Sequence, residues 1–198
     1  RDLTEQEARS LFPEAWRCEE HSPEGPWYSF YTGEDSRHVV SRAKEVAIAR
    51  PHATILRSGQ GDYPSCAQLT TTCFAAGVFN ALLSAGHSSF HRLLSFPRES
   101  CGLHASTGQR IWMRDGDGSW KLLGVPSAFE MGLMHARWIY QFETTRIEIR
   151  VEASVDNSRC QLHLKVEEGG PREFLVSHGL IAGINEYDAP AEIEFRPD

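Results

Sequence analysis

From Ala53 onward the chain is made of short segments in which apolar and polar residues alternate, and turn residues separate them. The clearest two segments, 146–152 and 161–167, keep a period of two over seven residues and predict an antiparallel pair. This period is typical of strands that place one face on a core and the other in water. About ten such segments follow one another without intervening helices, so the pattern predicts a mainly β fold with two packed antiparallel sheets.

The first fifty residues predict one or two short helices. Thr4 to Glu7 has the pattern of a capping box, so a helix should begin there, whereas the aromatic run 27–31 favours a strand. Apolar residues of 37–49 share one face at helical spacing, which favours a second helix over a strand. We therefore divide the chain into an N-terminal extension with short helices, residues 1–52, and a β-sandwich domain, residues 53–198.

Composition limits the partners. The net charge of -7 argues against a nucleic acid, because binding one needs concentrated positive charge. No apolar run reaches the length of a membrane-spanning helix, so no membrane partner is expected. The five cysteines are an odd number without CxxC spacing, which favours free thiols in a reducing compartment. We expect a cytoplasmic location; because the chain begins at Arg1, a secreted or periplasmic location is the alternative.

The chain contains residues suited to sugar binding but no strong catalytic motif. It has no GxSxG elbow and no HExxH pair, and neither a catalytic residue, a metal nor a cofactor is predicted. A sugar site needs flat aromatic faces beside forked donors and acceptors. Trp112, Arg114 and Asp115 supply that combination at a DGDG hairpin turn, and Arg92 belongs to a second aromatic and basic group. These four are the predicted substrate-binding residues.

Three stretches resemble a known family: GVFNALLSAGHSSFHRL at 77–93, STGQRIWMRDGDGSWKLLGVP at 106–126, and the paired segments of 145–181. They are similar to the N-terminal β-supersandwich of glycoside phosphorylases related to cellobiose and chitobiose phosphorylase, or of a similar (α/α)-barrel glycosidase. The resemblance covers residues 77–182, and residues 1–76 have no clear counterpart in it.

The resemblance implies that the chain is one domain of a carbohydrate-active enzyme. In such enzymes the catalytic carboxylate lies in a helical barrel that follows the sandwich. The domain would then be non-catalytic and would contribute to sugar binding, barrel packing or dimerisation. The partners it implies are a carbohydrate, the helical catalytic barrel of the same polypeptide, and a second copy of the chain as a homodimer.

Two other classes of function stay open. A stand-alone sandwich enzyme, such as a mutarotase-like epimerase or a lyase, needs a histidine and a carboxylate that converge on one sheet as general acid and base. His91, His135 and Glu130 are the first candidates for that role. A purely structural interaction domain would instead present a flat apolar patch.

Overall fold

The computed structural model describes residues 1–48, 52–56, 70–75, 78–82, 108–132, 135–153 and 160–179. Within them the chain forms two short helices and thirteen strands. The helices are α1 (Glu5–Leu11) and α2 (Arg42–Ile48). The strands are β1 (Arg17–His21), β2 (Trp27–Thr32), β3 (Arg37–Ser41), β4 (His52–Leu56), β5 (Thr70–Ala75), β6 (Val78–Leu82), β7 (Gly108–Arg114), β8 (Trp120–Leu122), β9 (Ala128–Met131), β10 (His135–Gln141), β11 (Arg146–Ala153), β12 (Cys160–Glu168) and β13 (Phe174–Gly179).

The largest sheet has seven strands in the order β1-β2-β3-β9-β10-β11-β12, and all of its pairs are antiparallel. Two smaller antiparallel sheets have the orders β13-β7-β8 and β4-β5-β6. The predicted pair formed by 146–152 and 161–167 is confirmed as β11 and β12. The predicted domain division at residue 52 stays a prediction, but β3 and β9, from its two sides, are hydrogen-bonded neighbours.

The β13-β7-β8 sheet packs on one face of the seven-stranded sheet, and this contact forms the larger core. Ile111 of β7 is buried with Phe129 of β9 and Trp138 of β10, and Met113 and Val176 pack around them. Two sheets that bury apolar side chains between their facing surfaces form a sandwich. The predicted mainly β fold, an antiparallel sandwich with two short helices near its N-terminus, is therefore confirmed.

Residues 1–16, which we term the N-terminal segment, cover the other face of the seven-stranded sheet and form a second core. The buried members of this second core are Leu3, Ala8, Phe12, Trp27, Phe30, Val39, Ala128 and Ile139. The predicted capping box is confirmed, because Thr4 Oγ1 accepts from the Glu7 amide and the Glu7 carboxylate accepts from the Thr4 amide. The segment therefore folds locally and then covers the sheet.

The second predicted helix is wrong over its first part. Residues 37–41 form β3, and only 42–48 are helical. Val39 and Val40 are both buried, on opposite faces of a strand that pairs with β2 on one edge and β9 on the other. Strand pairing on both edges outweighs a helical spacing that rests on β-branched residues.

The sequence pattern also misses β1 and β9. Every residue of β1 is exposed and every residue of β9 is buried, so neither strand shows the alternation on which the prediction rests. In β9 the burial follows from its position, since the small sheet covers one face and the N-terminal segment covers the other.

Candidate functional site

The predicted hairpin turn joins β7 and β8 and fixes Asp115. The Gly118 amide donates to the Asp115 carbonyl at 2.9 Å, and Gly118 has a φ of 83°, a value that favours glycine. The Asp115 carboxylate accepts from the Gly116 amide at 2.7 Å and from Lys121 Nζ. The bond from Lys121, followed by the bond from Gly116, lowers the pKa of Asp115. This carboxylate is therefore charged and engaged within its own turn.

Trp112 lies on β7 between the strands that flank it. In register it stands opposite Leu122 of β8 and Leu175 of β13. The ring is half-buried, and Nε1 donates to Ser177 Oγ at 3.3 Å. This tryptophan thus lies between leucines of the two neighbouring strands, and its indole N–H is engaged on its own sheet. Arg92, the fourth predicted residue, lies outside the described residues.

Arg114 also makes its contacts within the hairpin and with Glu173, the residue before β13. Its Nη1 donates to Glu173 Oε2 at 2.7 Å and its Nε donates to the Gly118 carbonyl at 3.3 Å. The guanidinium carbon lies 5.9 Å from the ring centroid of Trp120, within the range of a cation–π contact. The hydrogen bond to Glu173 raises the pKa of Arg114. The structure thus brings Trp112 and Arg114 onto one side of β7 and places Asp115 at the adjacent turn.

The same side carries exposed apolar residues that sequence reasoning missed. We call this side the outer face and define it by Trp112, Trp120, Leu122 and Leu175. The exposed fractions are 43% for Trp120, 40% for Leu122 and 47% for Leu175. β8 has only three residues, too short to display a period, and β13 reaches β7 only through long-range pairing. The sequence signal that could have revealed this side is the alternation within β7. Because Ile111 faces the core, the next residue, Trp112, faces away from it.

A second arrangement, which we term the Glu130 cluster, lies on the opposite face of the large sheet and consists of Glu130, His135, Arg137 and Arg37. Glu130 is fully buried on β9. Its Oε1 lies 3.0 Å from His135 Nε2, and its Oε2 accepts from Arg137 Nη2 at 2.8 Å and from Arg37 Nη1 at 3.4 Å. Arg137 also donates to Glu148 Oε2 at 3.3 Å. The cluster thus combines residues of β3, β9 and β10, and Arg137 links it to Glu148 of β11.

Electrostatics keep Glu130 ionised. Burial on its own would raise the pKa of Glu130, but the hydrogen bond from His135 and the charges of Arg137, His135 and Arg37 outweigh it. The pKa of Glu130 is therefore below its ordinary value. Because the carboxylate carries no proton, the proton in its contact with His135 belongs to the histidine Nε2.

Gly132 allows the histidine to reach this carboxylate. A Cβ atom at Gly132 would lie 2.1 Å from His135 Cε1 and 2.5 Å from its Nδ1, far inside contact distance. The imidazole therefore lies against the bare backbone of residue 132. Among the residue types, glycine is the one that leaves this space open.

Glu130 and His135 form the kind of pair that the stand-alone enzyme alternative requires. A carboxylate beside an imidazole can orient it as a general base. Here Arg137 and Arg37 occupy the second carboxylate oxygen and reduce the negative charge available to stabilise an imidazolium. The arrangement matches a buried ion-pair network better than an activated base. His91, the third candidate, lies outside the described residues.

Within the described ranges, no three His, Cys, Asp or Glu side chains gather closely enough to hold a metal ion. Neither helix that the structure describes has the length and apolar character that a bilayer-spanning helix requires.

Comparison with known proteins identifies the family. The family model described as the glycoside phosphorylase supersandwich domain matches residues 12–198. A 1,2-beta-oligoglucan phosphorylase from Listeria innocua is 29% identical over 185 residues, which are 93% of this chain and 17% of that protein. The expectation that residues 1–76 have no counterpart is therefore wrong for residues 12–76, because the match begins at residue 12. The chain belongs to the glycoside phosphorylase supersandwich domain family.

Proposed function

We propose that this chain is the supersandwich domain of a longer glycoside phosphorylase and that the catalytic groups of this enzyme lie in another domain. The observation that carries the proposal is the extent of the match: nearly the whole chain aligns with a phosphorylase, yet it spans 17% of that protein. Such an alignment is typical of one domain within a multidomain enzyme.

The activity named for the Listeria relative supplies the substrates that we propose for the whole enzyme, a β-1,2-linked glucan oligosaccharide and inorganic phosphate. In phosphorolysis a phosphate oxygen bonds to the anomeric carbon while the glycosidic bond from that carbon to oxygen breaks. The leaving sugar oxygen takes up a proton. The products are a sugar 1-phosphate and a shorter glucan.

We propose that the domain supports the enzyme by packing rather than by supplying a reacting group. This view is supported by Glu130, which pairs with a histidine but is held by two arginines. It is also supported by Arg114, which pairs with Glu173, and by Asp115, whose carboxylate is engaged inside the hairpin. Sugar contacts at Arg92, Trp112, Arg114 and Asp115, a homodimer and a cytoplasmic location stay predictions.

An activity assay tests the proposed function. The polypeptide that carries this domain is incubated with 1,2-β-oligoglucan and phosphate, and sugar 1-phosphate is measured. We expect product from the whole polypeptide, none without phosphate, and none from residues 1–198 alone. Saturable turnover by residues 1–198 alone, or no phosphorolysis by the whole polypeptide, contradicts the proposal.

A second candidate, a stand-alone enzyme that acts on sugars, is favoured by one observation, the 3.0 Å contact between His135 and Glu130. Replacing the imidazole separates the two functions. If the pair were catalytic, His135→Asn would abolish sugar turnover without changing the fold. The proposed function instead predicts that turnover per folded molecule of the whole enzyme is unchanged by this substitution.

A further inference from the structure

We infer that the outer face of the β13-β7-β8 sheet is the surface on which another domain of the same polypeptide packs. The inference deepens the proposed function and rests on it, because it takes the chain to be one part of a longer enzyme. The occupant is an apolar surface of that second domain, with polar groups at its margin.

The first argument is the concentration of exposed apolar side chains. The described residues include four large hydrophobic side chains that are exposed, and three of them, Trp120, Leu122 and Leu175, lie together on the outer face. The fourth, Val46, belongs to α2. Scattered exposed hydrophobics need no explanation, but a contiguous group that includes a tryptophan marks an interaction surface.

A second argument comes from another sheet face of the same molecule. On β11 and β12, the side chains that face away from the sandwich core are polar or charged, and several of them are paired. The pairs are Arg146–Glu168, Arg150–Glu152 and Lys165–Glu167. This is the pattern expected of a sheet face in water. The outer face of the small sheet departs from it, since apolar residues occupy its centre.

Charge at the margin completes the pattern of an interface. The pair Arg114–Glu173 lies on this side of β7, beside Trp112 and Trp120. An apolar centre with a charged rim is the usual anatomy of a protein–protein contact. This pair also uses a guanidinium that a sugar would need for its hydroxyls, and Trp112 Nε1 is engaged by Ser177. These contacts favour a protein surface over a glycan as the occupant.

The extent of the match favours a domain of the same polypeptide over a second copy. The chain spans 17% of the phosphorylase it matches, so most of such a protein lies in other domains that must be held against this one. Domains joined in one chain meet at high effective concentration, and a modest apolar patch is then sufficient to keep them together.

Hydroxyl-radical footprinting of the whole polypeptide tests the inference without any substitution. Leu175 and Val46 are aliphatic and have similar exposed fractions, 47% and 59%, in this domain. We expect labelling of Leu175, Leu122 and Trp120 to be several-fold slower than these exposures imply, and labelling of Val46 to match its exposure. Equal labelling of Leu175 and Val46 overturns the inference.

Two controls separate the other occupants. Protection of the outer face that disappears on dilution of the polypeptide indicates a second copy and overturns the inference. Protection that appears only when 1,2-β-oligoglucan is added indicates a sugar and also overturns it. Labelling and phosphorolysis are measured separately on the same polypeptide. An unprotected outer face in a polypeptide that still carries out phosphorolysis therefore overturns this inference and leaves the proposed function standing.

A matched pair of variants adds an independent readout. Trp120→Asp places a charge in the outer face, and Val46→Asp places the same charge on an exposed site in α2. We expect Trp120→Asp to restore labelling of Leu175 in the whole polypeptide, and Val46→Asp to leave it protected. Leu175→Ser serves as a second outer-face variant, in which protection is read from the labelling of Leu122 and Trp120. Unchanged protection in both outer-face variants overturns the inference.

Discussion

Glu130 is a carboxylate inside a seven-stranded sheet, and it is charged because a histidine and two arginines surround it. His135 holds one oxygen, and Arg137 and Arg37 hold the other. An ion pair at such depth does not stabilise a protein simply by existing, since its formation requires desolvation of each charge. Loss of one partner is costly, however, because the charges that remain keep less compensation in a largely buried site.

We therefore predict that Glu130→Ala lowers the free energy of unfolding by about 3 kcal/mol. This value is the low end of the range for a broken buried pair, and we choose it because the arginines reach solvent. Glu14→Gln is the control, since it removes an exposed carboxylate from the same Arg37 and should cost less than about 1 kcal/mol. Urea titration measures both. Equal effects would show that the burial of Glu130 contributes nothing.

The same carboxylate makes stability depend on acidity. The pKa of Glu130 is lowered in the folded state, so its contribution is present above the ordinary value of 4.5 and is lost as pH falls through the folded-state pKa. Glu130→Ala should accordingly show a flatter loss of stability in acid than the parent chain.

Gly132 gives a prediction of a different kind, because it acts only through the histidine it accommodates. Gly132→Ala should displace the His135 ring and destabilise the fold, whereas Gly170→Ala should be close to neutral, since a Cβ at Gly170 meets nothing within 4 Å. In a double-mutant cycle, Gly132→Ala should cost little once His135→Ala is present. Additive losses would mean that the methyl group strains something other than the imidazole.

Glu45 predicts the opposite pH trend. Burial raises the pKa of Glu45 to about 7 from an ordinary 4.5, and the charge of Lys44 offsets this only in part. The folded state therefore keeps a proton that the unfolded chain releases, and stability should fall as pH rises from about 4.5 to about 7. Denaturation curves of the parent chain and Glu45→Gln across this window provide the test, in which the variant should lose this part of the slope.

At the scale of elements, the N-terminal segment is a cover that folds by its own local rules. Leu3, Ala8 and Phe12 close one core, and the ring of Phe12 meets Phe30 edge-on with centroids 5.6 Å apart. The family match begins at residue 12, yet α1 lies before it and contributes Ala8 to the buried set. The helix therefore completes a surface that the matched region leaves apolar.

We predict that Thr4→Ala destabilises the chain by about 1 kcal/mol, because it removes the side-chain oxygen of the capping box. Ser10→Ala is a matched control on the exposed side of α1, where alanine has the better helix propensity. Amide hydrogen exchange within α1 should accelerate in Thr4→Ala and should stay unchanged in Ser10→Ala. Acceleration in neither variant would mean that packing, not the cap, limits opening of the helix.

At the scale of the whole molecule, the sequence predicted what is encoded locally. The capping box at Thr4, the turn at Asp115 and the β11–β12 pair each depend on neighbours in the chain, and each is confirmed. β3 was predicted as helix because its partner β9 lies beyond residue 127 and left no local trace. β9 itself, buried on both faces, has no alternation to reveal it.

The candidate sites divide in the same way. Trp112 and Arg114 could be assigned to one side of a strand from period two, but the leucines that adjoin Trp112 come from β8 and β13. Glu130 and His135 could be named as candidates, whereas the arginine that neutralises Glu130 from β3 follows from long-range pairing. The sequence therefore shows which residue types are suited to each site. Which of them lie together in space follows only from the pairing of distant strands.

The β3–β9 pairing implies that the domain should stay assembled when its backbone is cut between these two strands. These neighbours in the sheet are separated along the chain by residues 42–127, so hydrogen bonds between the strands, and not the intervening backbone, hold them side by side.

A protease site inserted at the exposed turn residue Gly116, where loop tips tolerate insertion, should be cleavable without dissociation of the two fragments. The two fragments should co-elute in native gel filtration and part only in denaturant; separation under native conditions would show that the peptide link itself is required. If they stay together, the domain can be produced as two complementary halves that assemble by strand pairing.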